Sequence, residues 1–274
     1  MPRVHSTTIL EGDVDLADDA EIGPQCVLDG SLGRVVLGER CKLRGHIYLT
    51  GPLTIGEGNT IYPFTSIGFA PQDFKWKPDE AGAGVVIGSG NTFRENVTIH
   101  RATSHDVPTT IGDGNFFMSC SHAGHDCRVG SHCVLASGAM LGGHARVDDR
   151  AIIGGLTGVH QHVRIGRSAM LSGCIAAGYD VPPFFMLTAL NLVGSLNMIG
   201  LRRSGATSPT IDTIRWVYKT IYRRGLSIRS AVEELRTRED DPLVMEYIEF
   251  IESSKRGICS GRAKAARGAV ALEG

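Results

Sequence analysis

The chain has 274 residues, enough for one large domain or two modest ones. Its 28 Lys and Arg balance 29 Asp and Glu, a net charge of −1, which argues against a general nucleic-acid binder with its usual basic excess. No run of about 18 apolar residues is present, which excludes an ordinary membrane-spanning helix.

With 35 Gly and only 6% aromatic residues, large rings cannot fill the core, so small side chains on a regular stacked backbone must. The opening segment MPRVHSTTILEGDVDLADDAE is acidic and lacks the apolar stretch of a secretory signal, so a cytoplasmic protein is expected. The 7 Cys, an odd number without CxxC pairs, read as reduced small hydrophobes rather than disulfides or a zinc knot.

In chain order, apolar residues recur almost every six positions. Leu16, Ile22 and Leu28 open the series, and Leu37, Leu43, Leu49, Ile55, Ile61 and Ile67 continue it. It resumes at Ile87, Phe93 and Ile99, then runs from Ile111 to Leu171. The breaks at 29–36 and 69–86 predict loops, and 102–109 is irregular. Gly often follows the apolar residue, as at Gly124, Gly142 and Gly154, and is expected to help turn the corner. Neither a helix nor an alternating strand has this period. Three short strands closing an 18-residue triangular coil do, which predicts a parallel β-helix with one apolar residue per side pointing inward. Such a prism has free hydrogen-bonding edges at its two ends, and both are expected to be covered.

After Pro182-Pro183 the rhythm stops. Residues 188–204 have helical apolar spacing. Thr207 with Pro209 opens a further helix that ends at Gly225, Ser227 caps another, and Asp241-Pro242 begins a last one. The expected organisation is a β-helix over 1–186, a helical domain over 187–260 and a frayed tail over 261–274. From residue 184 onward the chain carries a net +4, so the helical end suits an acidic partner.

An 18-residue coil also determines which side chains stack. His125, Gly143 and Gln161 form one column, and Asp126, His144 and His162 the next, with His122 and His160 close by. Three chemistries compete for this cluster: a zinc site, surface or inter-chain hydrogen bonding, and general-base catalysis by a neutral imidazole whose tautomer a carboxylate fixes. His125 and Asp126 fit the last only if a corner lets strand neighbours point the same way.

The segments VTIHRAT (97–103), SHAGHDCRVG (121–130), AIIGGLTGVHQ (151–161) and GYDVPP (178–183) resemble the UDP-N-acetylglucosamine O-acyltransferases that begin lipid A synthesis. The resemblance runs from about residue 5 to about 258, and the repeats alone would specify only the fold. It implies a left-handed parallel β-helix with a C-terminal α-helical region, assembled as a homotrimer with active sites between subunits. It further implies transfer of an (R)-3-hydroxyacyl group from acyl carrier protein to the sugar 3-hydroxyl, with no metal or redox cofactor. His125 matches the catalytic base and Asp126 the residue that orients it, while the Gly143 N–H matches the oxyanion donor. Asp73 and Lys75 of the 69–86 insertion would reach substrate from a neighbouring subunit. His100, His122, His144, His160 and Gln161 match cleft-lining residues, and Asn197 and Arg203 match the nucleotide end. Gly173 matches the position that limits acyl length, and its lack of a side chain implies a long chain of about fourteen carbons.

Two departures fall at the nucleotide end. Thr188, Ala189, Leu190 and Asn191 replace the family's Gln-Gly-Asn stretch, and Ile199 stands where an acidic residue is usual. They admit a different acceptor, such as a 3-amino sugar. A metal-dependent enzyme of the γ-carbonic-anhydrase sort is the other alternative, on the same prism.

Overall fold

The computed structural model describes residues 1–77 and 79–261. The expected tail, apart from Gly261, lies outside the described residues.

Three parallel faces stack into a prism. One sheet of 11 strands makes the first face, and a sheet of 15 strands wraps the other two. Within one coil the chain runs through Phe116–Phe117, His122–Ala123 and Arg128–Val129, then returns to the first face at Val134–Leu135, directly beside Phe116–Phe117. The inward apolar series from Ile22 to Leu171 is buried throughout, in one continuous core. Asn59, Asn91 and Asn115 are buried too, and their side-chain oxygens accept backbone N–H groups of the next coil in an internal ladder.

The corners work differently from expectation. Apart from Gly68, at φ 91°, the glycines that follow inward residues do not take the left-handed conformation. That falls two residues further on, at Cys120, Asp126, His132, His144, Arg150, Leu156 and His162, all with φ between 55° and 62°. The glycines serve close approach instead. A Cβ on Gly124 would lie 2.9 Å from the Gly143 nitrogen, and one on Gly142 would lie 2.8 Å from the Gln161 nitrogen.

The 69–86 break is an excursion between the strands Ser66–Phe69 and Val85–Ile87, but the 29–36 break is not a loop. Val27–Leu37 is one continuous strand beside Ile9–Leu16, whose register jumps from Gly12 opposite Gly30 to Val14 opposite Val35. The additional residues are absorbed as a bulge, because Gly12 and Gly30 let the two backbones touch.

The segment 188–204 is also not a single helix. Phe185–Ala189 pairs with Met170–Leu171 and turns at Leu190-Asn191 into the antiparallel strand Leu192–Leu196. Only α1 (Met198–Arg203) is helical. The last coil offers an unpaired edge, and pairing to it outweighs the local helical spacing. Then come α2 (Ser208–Tyr222), α3 (Ile228–Leu235) and α4 (Pro242–Glu252), capped by the side chains of Thr207, Ser227 and Asp241 as the sequence predicts.

The helices close the C-terminal end of the prism. Phe185 packs against Tyr218, Tyr222 and Tyr247, and the Tyr247 hydroxyl donates to the Pro183 carbonyl at 2.9 Å. No element among the described residues covers the N-terminal end. There the edge strand Ile9–Leu16 exposes Glu11, Asp13 and Asp15, and Arg34 pairs with the last two. Charge protects that edge in place of a cover. No described helix is long and apolar enough to cross a membrane.

Candidate active site

Where the second face turns into the third, the corner brings the expected columns together. The left-handed backbone of Asp126 turns its side chain back onto its neighbour, and His125 Nδ1–H donates to Asp126 Oδ2 at 2.6 Å. Adjacent residues on a flat strand could not make this bond. It leaves the His125 Nε2 lone pair available, and this atom faces Gly143 one coil away: a Cβ there would lie 2.5 Å from it. The Gly143 N–H has no hydrogen-bond partner among the described residues.

Asp126 is the most heavily bonded group of the site. Besides His125, its carboxylate accepts from the Thr103 hydroxyl at 2.8 Å and from the Thr103 and Ser104 amides, while its own N–H donates to Thr109 Oγ1 at 2.8 Å. Burial opposes ionisation, but these donors outweigh it and hold the carboxyl well below the usual carboxylate range. Thr103, Ser104 and Thr109 lie in or beside the irregular 102–109 stretch. Their contribution was invisible in the hexapeptide pattern because it arises only where that pattern lapses.

Further imidazoles surround the pair. The His144 ring meets His125 edge-on at 5.1 Å and stacks on His162 at 4.5 Å. His122 hydrogen-bonds Thr98 Oγ1 at 2.8 Å and meets His100 edge-on at 5.3 Å, and His100 Nδ1–H donates to the Ala70 carbonyl at 2.6 Å. Burial lowers the pKa of His100, His122 and His144, that of His122 to about 4, so these three are neutral at pH 7 and can accept or donate hydrogen bonds without carrying charge.

Two grooves meet at this corner. One, of about 630 Å³, is rimmed by His100, His122, His125, His160 and Gln161 and floored by Met140, Gly158 and Ala176. The other, of about 890 Å³, holds Asp126, His144 and His162 and is lined by arginines. The excursion reaches the first groove within its own chain through Gln72, which was not singled out in the sequence. Asp73 and Lys75 beside it are exposed, and the Asp73 carboxylate bears electrostatically on His144. Three expected residues lie away from the cluster. Gly173 sits on another corner, above Gly155. Asn197 is buried, donating to the Ser168 carbonyl and accepting the Gly200 N–H as the cap of α1, and Arg203 is exposed in that helix's last turn.

The donor atoms of His125, Asp126 and His144 lie within 4.8 Å of one another, close enough to share a metal ion. The bonding argues for another use. The Asp126 carboxylate is already saturated by hydrogen-bond donors and one of them is His125 itself, an arrangement that positions an imidazole.

A family model described as Udp N-acetylglucosamine O-acyltransferase, Domain 2, matches residues 180–259, and one for bacterial transferase hexapeptide (six repeats) matches 108–143. The chain is 41% identical to the acyl-(acyl-carrier-protein)–UDP-N-acetylglucosamine O-acyltransferase of Thermodesulfovibrio yellowstonii, over 94% of this chain and 100% of that one. The Campylobacter concisus protein of the same name is 35% identical over 94% of this chain and 97% of its own. The crystal structure of the Francisella novicida UDP-N-acetylglucosamine acyltransferase superposes with a TM-score of 0.87 at 36% identity, covering 94% of each chain. All are named for UDP-N-acetylglucosamine, so neither the 3-amino sugar nor the metal-dependent alternative is favoured.

Proposed function

The chain belongs to the UDP-N-acetylglucosamine O-acyltransferase family, and from that premise we propose that it moves an (R)-3-hydroxyacyl group from acyl carrier protein to the 3-hydroxyl of UDP-N-acetylglucosamine, the first step of lipid A synthesis. The carrying observation is the orientation of His125: Nδ1 is held by Asp126 while Nε2 faces the Gly143 backbone.

His125 Nε2 takes the proton of the sugar hydroxyl as its oxygen attacks the thioester carbonyl carbon. The carbonyl oxygen gains the negative charge and meets the Gly143 N–H, which has no competing bond among the described residues. The tetrahedral intermediate collapses, the C–S bond breaks, and the imidazolium returns its proton to the departing thiolate. Asp126 stays ionised and stabilises the transient imidazolium. The neutral His100 and His122, with His160 and Gln161, hydrogen-bond the sugar, and the apolar floor of Met140, Gly158 and Ala176 suits an acyl chain.

In this reading the prism, 1–186, carries the chemistry and the helical region, 187–260, receives the carrier. Asp73, Lys75, Asn197 and Arg203 serve the nucleotide sugar across a subunit boundary of a homotrimer, and Gly173 leaves room for a long acyl chain. The 7 unpaired cysteines suit a cytoplasmic protein. Incubation with UDP-N-acetylglucosamine and a panel of acyl carrier protein thioesters, followed by mass spectrometry, tests the assignment. The expected product is a 3-O-acylated nucleotide sugar, and absence of any acylated sugar across the panel refutes it.

A further inference from the structure

The arginines that line the second groove have no role in the scheme above. On the third face Arg128, Arg146 and Arg164 occupy the same outward position on successive coils and pair directly in register. Neighbouring strands are about 4.8 Å apart, so three guanidinium groups rise as a ladder, and like charges directly opposite one another destabilise a sheet. Such a column calls for anions.

The lowest rung has its own. Arg164 donates to Asp180 and to Ser253 and Phe250 of the helical end, which anchors the ladder there. Arg146 has only a 3.4 Å contact with Asp148, and exposed Arg128 has no ion pair among the described residues. Lys255 and Arg256 add cationic side chains at the foot of the same groove, whose upper end is the Asp126–His144 corner. The groove therefore runs from the helical end to the reacting pair with an excess of positive charge along one wall. Its two carboxylates are satisfied already, Asp126 by His125 and Thr103, and Asp180 by Arg164 and Ser254.

We propose that Arg128 and Arg146, with Lys255 and Arg256, form an anion site for the phosphodiester that joins the donor's pantetheine arm to its carrier. This rests on the acyl-transfer reading. The two grooves differ in chemistry as the two substrates do. His125 Nε2, where the hydroxyl must lose its proton, belongs to the imidazole-rimmed groove, which suits a sugar. The cationic groove approaches the same corner from the helical end and suits a phosphate-bearing arm reaching up from a docked protein.

The test is steady-state kinetics on the full-length protein carrying Arg128→Gln and Arg146→Gln together, with an Arg128→Lys, Arg146→Lys variant alongside. The double Gln variant is expected to raise KM for the acyl carrier protein thioester at least about tenfold, the weight of one charge-assisted hydrogen bond, while KM for the nucleotide sugar stays within about twofold. The double Lys variant should recover part of the loss. Calorimetry with free 4′-phosphopantetheine should show the same weakening, against no difference for pantetheine lacking the phosphate. A rise in KM for the nucleotide sugar instead would assign the ladder to the diphosphate and overturn the proposal, as would unchanged donor kinetics. Wild-type protein that turns over no acyl carrier protein thioester refutes the acyl-transfer reading itself, whereas active wild type with an unaffected Gln variant refutes only the site.

Discussion

His125 and Asp126, the proposed base and its orienting carboxylate, are joined by one hydrogen bond of 2.6 Å. His125→Ala is expected to abolish turnover with an unchanged circular dichroism spectrum, and more than a few per cent residual activity would exclude it as the base. Thr103→Val, which removes the 2.8 Å hydroxyl bond to Asp126, should lower kcat by about tenfold with little change in either KM, since Thr103 acts through Asp126. His122 supplies a pH signature. Unfolded, it takes a proton near 6.5, but folded only at about 4, because burial disfavours the charged ring. Between those values the unfolded chain binds more protons, so this contribution to stability is full above pH 6.5, falls as the pH drops through the window and levels off below about 4. His122→Gln should reduce the fall in Tm between pH 7 and pH 5, as differential scanning calorimetry would show.

Among the elements, what could be read from the residues was whatever depended on short separations. The inward apolar series and the side-chain caps at Thr207, Ser227 and Asp241 all lie where the sequence puts them. Features decided by contact between distant segments are not legible in the local pattern. Residues 185–196 became a hairpin because the last coil presented an edge to pair with, and 27–37 remained a strand because Gly12 and Gly30 could touch. The corner glycines, which by sequence suit turning, serve the close passage of the neighbouring coil instead. Within the site, the stacked column of His125 and Gly143 followed from the 18-residue circuit, but the support from Thr103, Ser104 and Thr109 did not. Asn197 is the residue whose two readings can be separated. As the cap of α1, donor to Ser168 and buried, it should cost about 1–2 kcal/mol when replaced by Ala, measured by urea unfolding. If it also meets the nucleotide, KM for the nucleotide sugar rises at temperatures where the variant is fully folded.

For the whole molecule, the proposed nucleotide end makes assembly the property to test. Asn197 and Arg203 lie away from the His125 cluster in their own chain, so the proposed site is complete only if a neighbour presents these residues. Sedimentation equilibrium should return three times the chain mass. Mixed trimers of His125→Ala chains with Arg203→Ala chains should regain activity, because some clefts then receive both intact halves. No recovery on mixing would place both residues in one chain's site or outside it.

The prism is closed by aromatic packing at one end and by charge alone at the other. Growth of such a solenoid is therefore polar. Whole 18-residue turns could be spliced in ahead of the first buried rung, at Ile22, and the His125 corner, the arginine column and the helical cap would keep their spacing, whereas a turn inserted below His125 would separate that corner from the helical end. Variation in barrel height among such proteins should accordingly collect at the acidic end.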